Sequence, residues 1–250
     1  MRPDEEASIV ERKDGTFGVT WIDKVSATAA VVRTRAFPTH EEAEAFAYAE
    51  GLEPTGPEMA LAFAEQQKVE GKAAAEAGRW EDAEEILQAA LRIAPDDGDL
   101  HRMLGVVFVE QGRADEATEE FQAAVRDNPD DGDAHHNLGV MYKKQGQMEK
   151  AIAEFEEVLR INPDNAHAHR SLGAVYAMLD RPDEAIEQFE ECLRIDPNDA
   201  SAMLNKGLVL KSQGLLAEAV KEFSKAMRAR PGDADFMRRV ASAMGMDRPR

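Results

Sequence analysis

Cysteine is nearly absent from this chain: Cys192 is the only one in 250 residues. A lone cysteine excludes an internal disulfide and fits a reducing compartment. No run approaches the roughly 18 consecutive apolar residues that a membrane-crossing helix needs. The start, MRPDEEAS, is acidic and lacks the apolar core of a signal peptide. A cytoplasmic protein is the expectation. Positive charge is also scarce: 30 Lys and Arg stand against 49 Asp and Glu, a net −19. Nucleic acids and anionic membranes both require a basic face, so the balance argues against either as a partner. Catalytic signatures are missing as well. There is no G-x-S-x-G, no Walker-type loop and no G-x-G-x-x-G after a strand. Carboxylate pairs such as Glu119-Glu120 and Glu156-Glu157 read as solvated helix faces, without converging partners. The chain reads as a non-enzyme with no cofactor and no metal.

What is present is a period. Pro95, Pro129, Pro163, Pro197 and Pro231 stand 34 residues apart. With each proline at position 32, the units are 64–97, 98–131, 132–165, 166–199 and 200–233. Position 8 is Gly71, Gly105, Gly139, Gly173 and Gly207, and position 20 is Ala83, Ala117, Ala151, Ala185 and Ala219. Glycine inside a helix costs about 1 kcal/mol against alanine, so five in register need a packing reason. A close helix crossing supplies it, with the alanine column as the expected partner. Position 24 (Leu87, Phe121, Phe155, Phe189, Phe223) and position 11 (Ala74, Phe108, Tyr142, Tyr176, Leu210) supply apolar volume on one helical face.

The boundaries agree with two helices per unit. The residue before a proline avoids the α region, which ends the second helix near position 31. Position 34 is Asp97, Asp131, Asn165, Asp199 and Asp233, all strong N-caps for the next first helix. Gly78, Gly112, Gly146 and Gly214 at position 15 allow a left-handed end to the first helix; Asp180 is the exception.

The series Leu138-Gly139, Tyr142, Gly146, Ala151, Phe155, Pro163 resembles the tetratricopeptide repeat, and the likeness recurs five times over about 64–233. It implies an all-α right-handed superhelix, a solenoid of helix pairs whose first helices line a concave groove. Two departures stand out. Position 7 is Glu70 and Lys206 in the end units, as expected of atypical terminal repeats. The family's aromatic at position 4 is replaced by His101, His135 and His169.

Upstream of residue 60 the period stops. Residues 7–13, then Asp14-Gly15, then 16–23 give the pattern of a β-hairpin, with Val10 facing Val19 across a two-residue turn. Residues 28–37 suit a third strand. Thr39 and Glu42 form a capping box ahead of a helix at 40–50. The expected organisation is a small α+β domain at 1–51, a linker at 52–60, five repeats within 61–233, and a capping helix with tail at 234–250. Met237, Val240, Ala241 and Met244 continue the repeat register in that last helix.

The family resemblance places positions 2, 5, 9, 12 and 13 on the groove wall. At positions 5, 9, 12 and 13 the chain carries Lys68, Lys72, Arg102, Lys143, Lys144, Arg170 and Lys211, opposed only by Glu76 and Glu110. A basic wall on so acidic a protein points to a ligand with carboxylates, an acidic segment or a free C-terminus. His136 and His167 join as groove residues, Asn137 and Asn205 as bonds to a peptide backbone, and Val140 as an apolar contact. One branch of the family grips a C-terminal carboxylate with Lys, Asn and Arg over three repeats. Arg102 with Asn137, and Arg170 with Asn205, repeat part of that set, but Met103 and Asp133 depart from it. The column of His101, His135 and His169 is explained by the period as packing, without a fourth ligand for a metal.

The function expected is a non-enzymatic scaffold that holds a protein segment in its groove. Two alternatives belong to other classes. The N-terminal module, with Phe17, Trp21, Arg33 and Arg35, could recognise single-stranded nucleic acid. Its six basic and twelve acidic side chains in residues 1–60 oppose that. Self-association of the array through its ends is the other.

Overall fold

The computed structural model describes the backbone of residues 7–11, 17–26, 29–37 and 57–246. The chain divides into two compact units, Met1–Gln111 and Gly112–Arg250. In the first, β1 (Ala7–Glu11), β2 (Phe17–Ser26) and β3 (Ala29–Phe37) form an antiparallel sheet in that order. The hairpin register differs by one residue from the expected one. Val10 pairs with Gly18, and Val19 pairs with Ile9. Five residues separate Glu11 from Phe17, an odd number that no two-residue turn leaves. A slip of one residue changes which β1 residues share a face with β2. The helix expected at 40–50, the strand side chains (Phe17, Trp21, Arg33 and Arg35 among them) and the tail at 247–250 lie outside the described residues.

Three helices follow among the described residues of the first unit. α1 (Pro57–Glu76) packs on α2 (Trp80–Ile93), and α2 on α3 (Gly98–Glu110). α1 begins inside the stretch expected as a linker, at Pro57. The fixed φ of proline suits the first turn, where its missing N–H has no partner to lose.

The second unit runs through α4 (Ala114–Asp127), α5 (Gly132–Lys144), α6 (Met148–Ile161), α7 (Ala166–Met178) and α8 (Pro182–Ile195). It ends with α9 (Ala200–Ser212), α10 (Leu216–Ala229) and α11 (Ala234–Ala243). Each helix packs on the next. The caps explain the starts. The Asp131 carboxylate accepts from the N–H of Asp133 and Ala134, Asn165 from Ala168, Asp199 from Ala202, and Asp233 from Phe236. The left-handed ends are also present: Gly146 and Gly214 have φ of 76° and 80°, and Asp180 takes the same region at 56°.

The glycine column has a nearer partner than the one expected. A Cβ on Gly139 would lie 2.8 Å from the Phe155 ring, and one on Gly207 would lie 2.6 Å from Phe223. At Gly71 the obstacle is Leu87, at 2.7 Å. The position 24 side chain is the nearest obstacle in the space that glycine leaves, and at Gly173 the carbonyl of the position 20 residue Ala185 also lies 3.1 Å away. The alanines are still fully buried beside it. Phe155, Phe189 and Phe223 thereby recur as the centre of each helix pair, buried essentially completely.

α11 closes the last pair. Phe236 and Val240 are fully buried against Phe223, Ala226 and Met203. Val240 was expected there. Phe236, one residue ahead of the expected Met237, carries the larger share of the apolar volume.

Candidate functional site

In the second unit, α5, α7 and α9 are the successive first helices. α5 approaches α7 and α7 approaches α9, while among the described residues no pair of successive second helices comes as close. In a stack of repeats the elements on the inner edge lie nearest each other. The first-helix side is therefore the tighter side of this unit.

Five predicted site residues meet at the junction of α5 and α7. Lys143 is half-buried and has no carboxylate within ion-pairing distance among the described residues. Burial, then the charges of Lys144 and Arg170, hold its ammonium below the ordinary lysine range. Lys144, the next residue, is exposed. His136 is half-buried, about two turns before Lys143 on the same face of α5, with its ring centroid 5.5 Å from that of Phe155. Its Nε2 lies 3.4 Å from Ser171 Oγ on α7. Burial first, then His167 and Lys143, keep its imidazole below the usual range, with Asp133 pulling the other way. Arg170 donates one NH group to Asp199 Oδ2 at 2.5 Å and the other to His167 Nδ1 at 2.9 Å. His167 itself is exposed.

Elsewhere the expected basic residues are engaged within the chain. Lys68 lies 3.0 Å from Asp97 and 3.1 Å from Asp99, and Arg102 lies 2.9 Å from Asp99. Lys72 faces Glu76 at 4.0 Å. Lys211 Nζ donates to the Ala243 carbonyl at 2.6 Å, tying α9 to the end of α11. Lys68 and Arg170 show one rule. A cation at position 5 reaches the N-cap carboxylate 29 residues on, which opens the next first helix. The recurrence of that spacing is visible in the sequence. Asn137 and Asn205 are half-buried, and their side chains form no hydrogen bond among the described residues. Val140 and Ala174 are half-buried, and Leu208 is 43% exposed in the same repeat position.

The histidine column has structural work. Nε2 of His101, His135 and His169 approaches the carbonyls of Pro95, Pro129 and Pro163 at 2.9, 3.0 and 3.1 Å. The other nitrogen of His135 lies 2.7 Å from Glu154, and that of His169 lies 2.8 Å from Gln188. Each histidine thus fastens the proline loop to a first helix, and His135 and His169 extend the tie to a second helix. No cluster of three or more His, Cys, Asp and Glu able to hold a metal occurs among the described residues. No described helix is long and apolar enough to cross a membrane.

Comparisons with known proteins agree with this architecture. Three profiles of the tetratricopeptide repeat match residues 74–139, 130–198 and 179–234. Among solved structures, MamA is 25% identical with a TM-score of 0.62, over 69% of this chain and 94% of that one. PilF of Pseudomonas aeruginosa is 23% identical with a TM-score of 0.63, over 76% and 87%. YrrB, described as a repeat protein of this kind with an unusual peptide-binding site, is 23% identical with a TM-score of 0.59, over 67% and 87%. No curated relative matches the sequence.

Proposed function

Because the chain belongs to the tetratricopeptide repeat family, we propose that it is a non-enzymatic interaction scaffold, and that the first-helix faces of α5, α7 and α9 hold a protein segment of acidic character. The observation that carries the reading is Lys143. A lysine sheltered from water without a counter-charge is costly in the free protein. Lys68 and Lys206 have comparable shelter, and both are ion-paired, Lys206 with Glu190 at 2.8 Å. A carboxylate from a partner would supply what Lys143 lacks. Asn137 and Asn205 are unengaged donors and acceptors for the partner's backbone. Val140, Ala174 and Leu208 offer apolar contact. The attraction would be local, since the chain as a whole carries −19.

The same reading treats residues 61–233 as one array of five repeats, 234–250 as its cap and tail, and 1–51 as a separate small module. On this reading Lys68, Lys72 and Arg102 in the first unit, and Lys211 in the second, serve local ion pairs or a carbonyl bond more than they offer free charge.

Affinity capture with the full chain tests the proposal. Lys143→Glu with Lys144→Glu should abolish capture of the partner that the wild type retains. Arg170 is left alone, because reversing it would strand the buried Asp199. Capture of the same partner by the double variant at wild-type strength would overturn the reading.

A further inference from the structure

The junction of α5 and α7 offers fewer free charges than its composition suggests. Arg170 has one NH group on Asp199 and the other on His167. Lys143 remains as the sheltered, uncommitted cation, and His136, about two turns away on the same face and within reach of its charge, has a ring that bears no charge of its own while unprotonated. One positive charge and one protonatable ring match a monoanion.

The groups that face His136 are Asp133 and Lys143 on α5, Phe155 on α6, and His167, Arg170 and Ser171 on α7. Among the described residues its only hydrogen-bond neighbour, Ser171 Oγ, sits at 3.4 Å, the long end of the range. The ring therefore has room to engage a ligand atom.

We propose that His136 and Lys143 together take one carboxylate of the bound segment along with a proton, so that capture strengthens in mild acid. The proposal rests on the acidic-segment reading above and adds its regulation.

The sign follows from what suppresses the imidazole. Burial and the neighbouring positive groups disfavour His136 protonation in the free protein. A bound carboxylate opposes those positive neighbours and favours the imidazolium. The complex then holds a proton more readily than the free protein does, and linkage requires affinity to rise as pH falls between the two values. The free-protein value lies below the ordinary one of about 6.5. The ligand's own carboxyls stay largely ionised over the same interval.

Calorimetry on the full chain with hexaglutamate as probe tests this, at about pH 7.5 and about pH 5.8 and in two buffers of different ionisation enthalpy. Binding is expected to be about threefold tighter or more at the lower pH, with net proton uptake of up to one per peptide. His136→Asn should bring the ratio between the two pH values close to one and remove the uptake, and an NMR titration of the His136 ring should move upward when the peptide is added. Equal affinity at both pH values, or a gain that survives His136→Asn, overturns the proposal and leaves the acidic-segment reading standing. No hexaglutamate binding at either pH overturns both.

Discussion

The guanidinium of Arg170 lies 2.5 Å from the carboxylate of Asp199, and that carboxylate also accepts the N–H of Ala202 to open α9. One side chain thus ends a groove residue's charge and starts the next helix. Burial pushes the Asp199 carboxyl up, but the Ala202 N–H and Arg170 outweigh it and hold the group below the ordinary carboxylate range. Its stabilisation is complete above the unfolded value and is lost as pH falls through the lower folded one.

Asp199→Ala should therefore destabilise the protein by about 2–3 kcal/mol, combining a lost cap with a stranded guanidinium. Asp199→Asn should keep most of the cap and flatten the acid limb of the stability curve. Urea melts from neutral to strongly acidic pH measure both. A wild-type-like acid limb in Asp199→Asn would show that this carboxylate does not set it.

Glu222 occupies repeat position 23, which in the two preceding repeats holds the partners of His135 and His169. At position 4 of its own repeat the chain has Met203, 7% exposed. Glu222 pairs with Lys225 through one oxygen, and the other is buried without a hydrogen bond. Met203→His should restore the tie to Glu222 and reach the Pro197 carbonyl six residues upstream. The expected gain is about 1 kcal/mol, read as a raised denaturation midpoint at unchanged slope. A lowered midpoint would mean that the apolar contacts of Met203 with Phe223 and Phe236 outweigh the histidine's bonds.

Gly139→Ala tests the close crossing. The added methyl would meet the Phe155 ring at 2.8 Å, inside normal contact. Phe155 is fully buried, so its ring must give way within a packed core. A loss of about 2 kcal/mol is expected in spite of alanine's better helix propensity. A stabilised Gly139→Ala would show that the helices part at little cost.

Cys192 is fully buried, and burial, then the Asp199 charge, pushes its thiol up to about 12. Reaction with a disulfide reagent needs the thiolate, so the native protein should be inert at neutral pH and label only as it unfolds. Labelling faster than global unfolding would reveal local opening of α8.

Much of the fold was legible because each repeat states its packing in five copies. Glycine at positions 8 and 15, the cap at 34 and proline at 32 mark helices by local chemistry, and α5 through α10 follow them. The hairpin register was not legible, because Asp-Gly signals a turn but not its length. The site was legible only as composition. Lys68 and Lys143 look alike in a groove column, yet one is ion-paired and the other is not.

The residues alone determined the repeat, its helix limits and the family, because caps, breakers and apolar periodicity act within a few residues of the chain. Tertiary packing alone decided which cations stay uncommitted and which ring fills each glycine notch. Both depend on side chains some 16 to 30 residues apart, such as Gly139 with Phe155 and Arg170 with Asp199, and charge and contact follow distance in space.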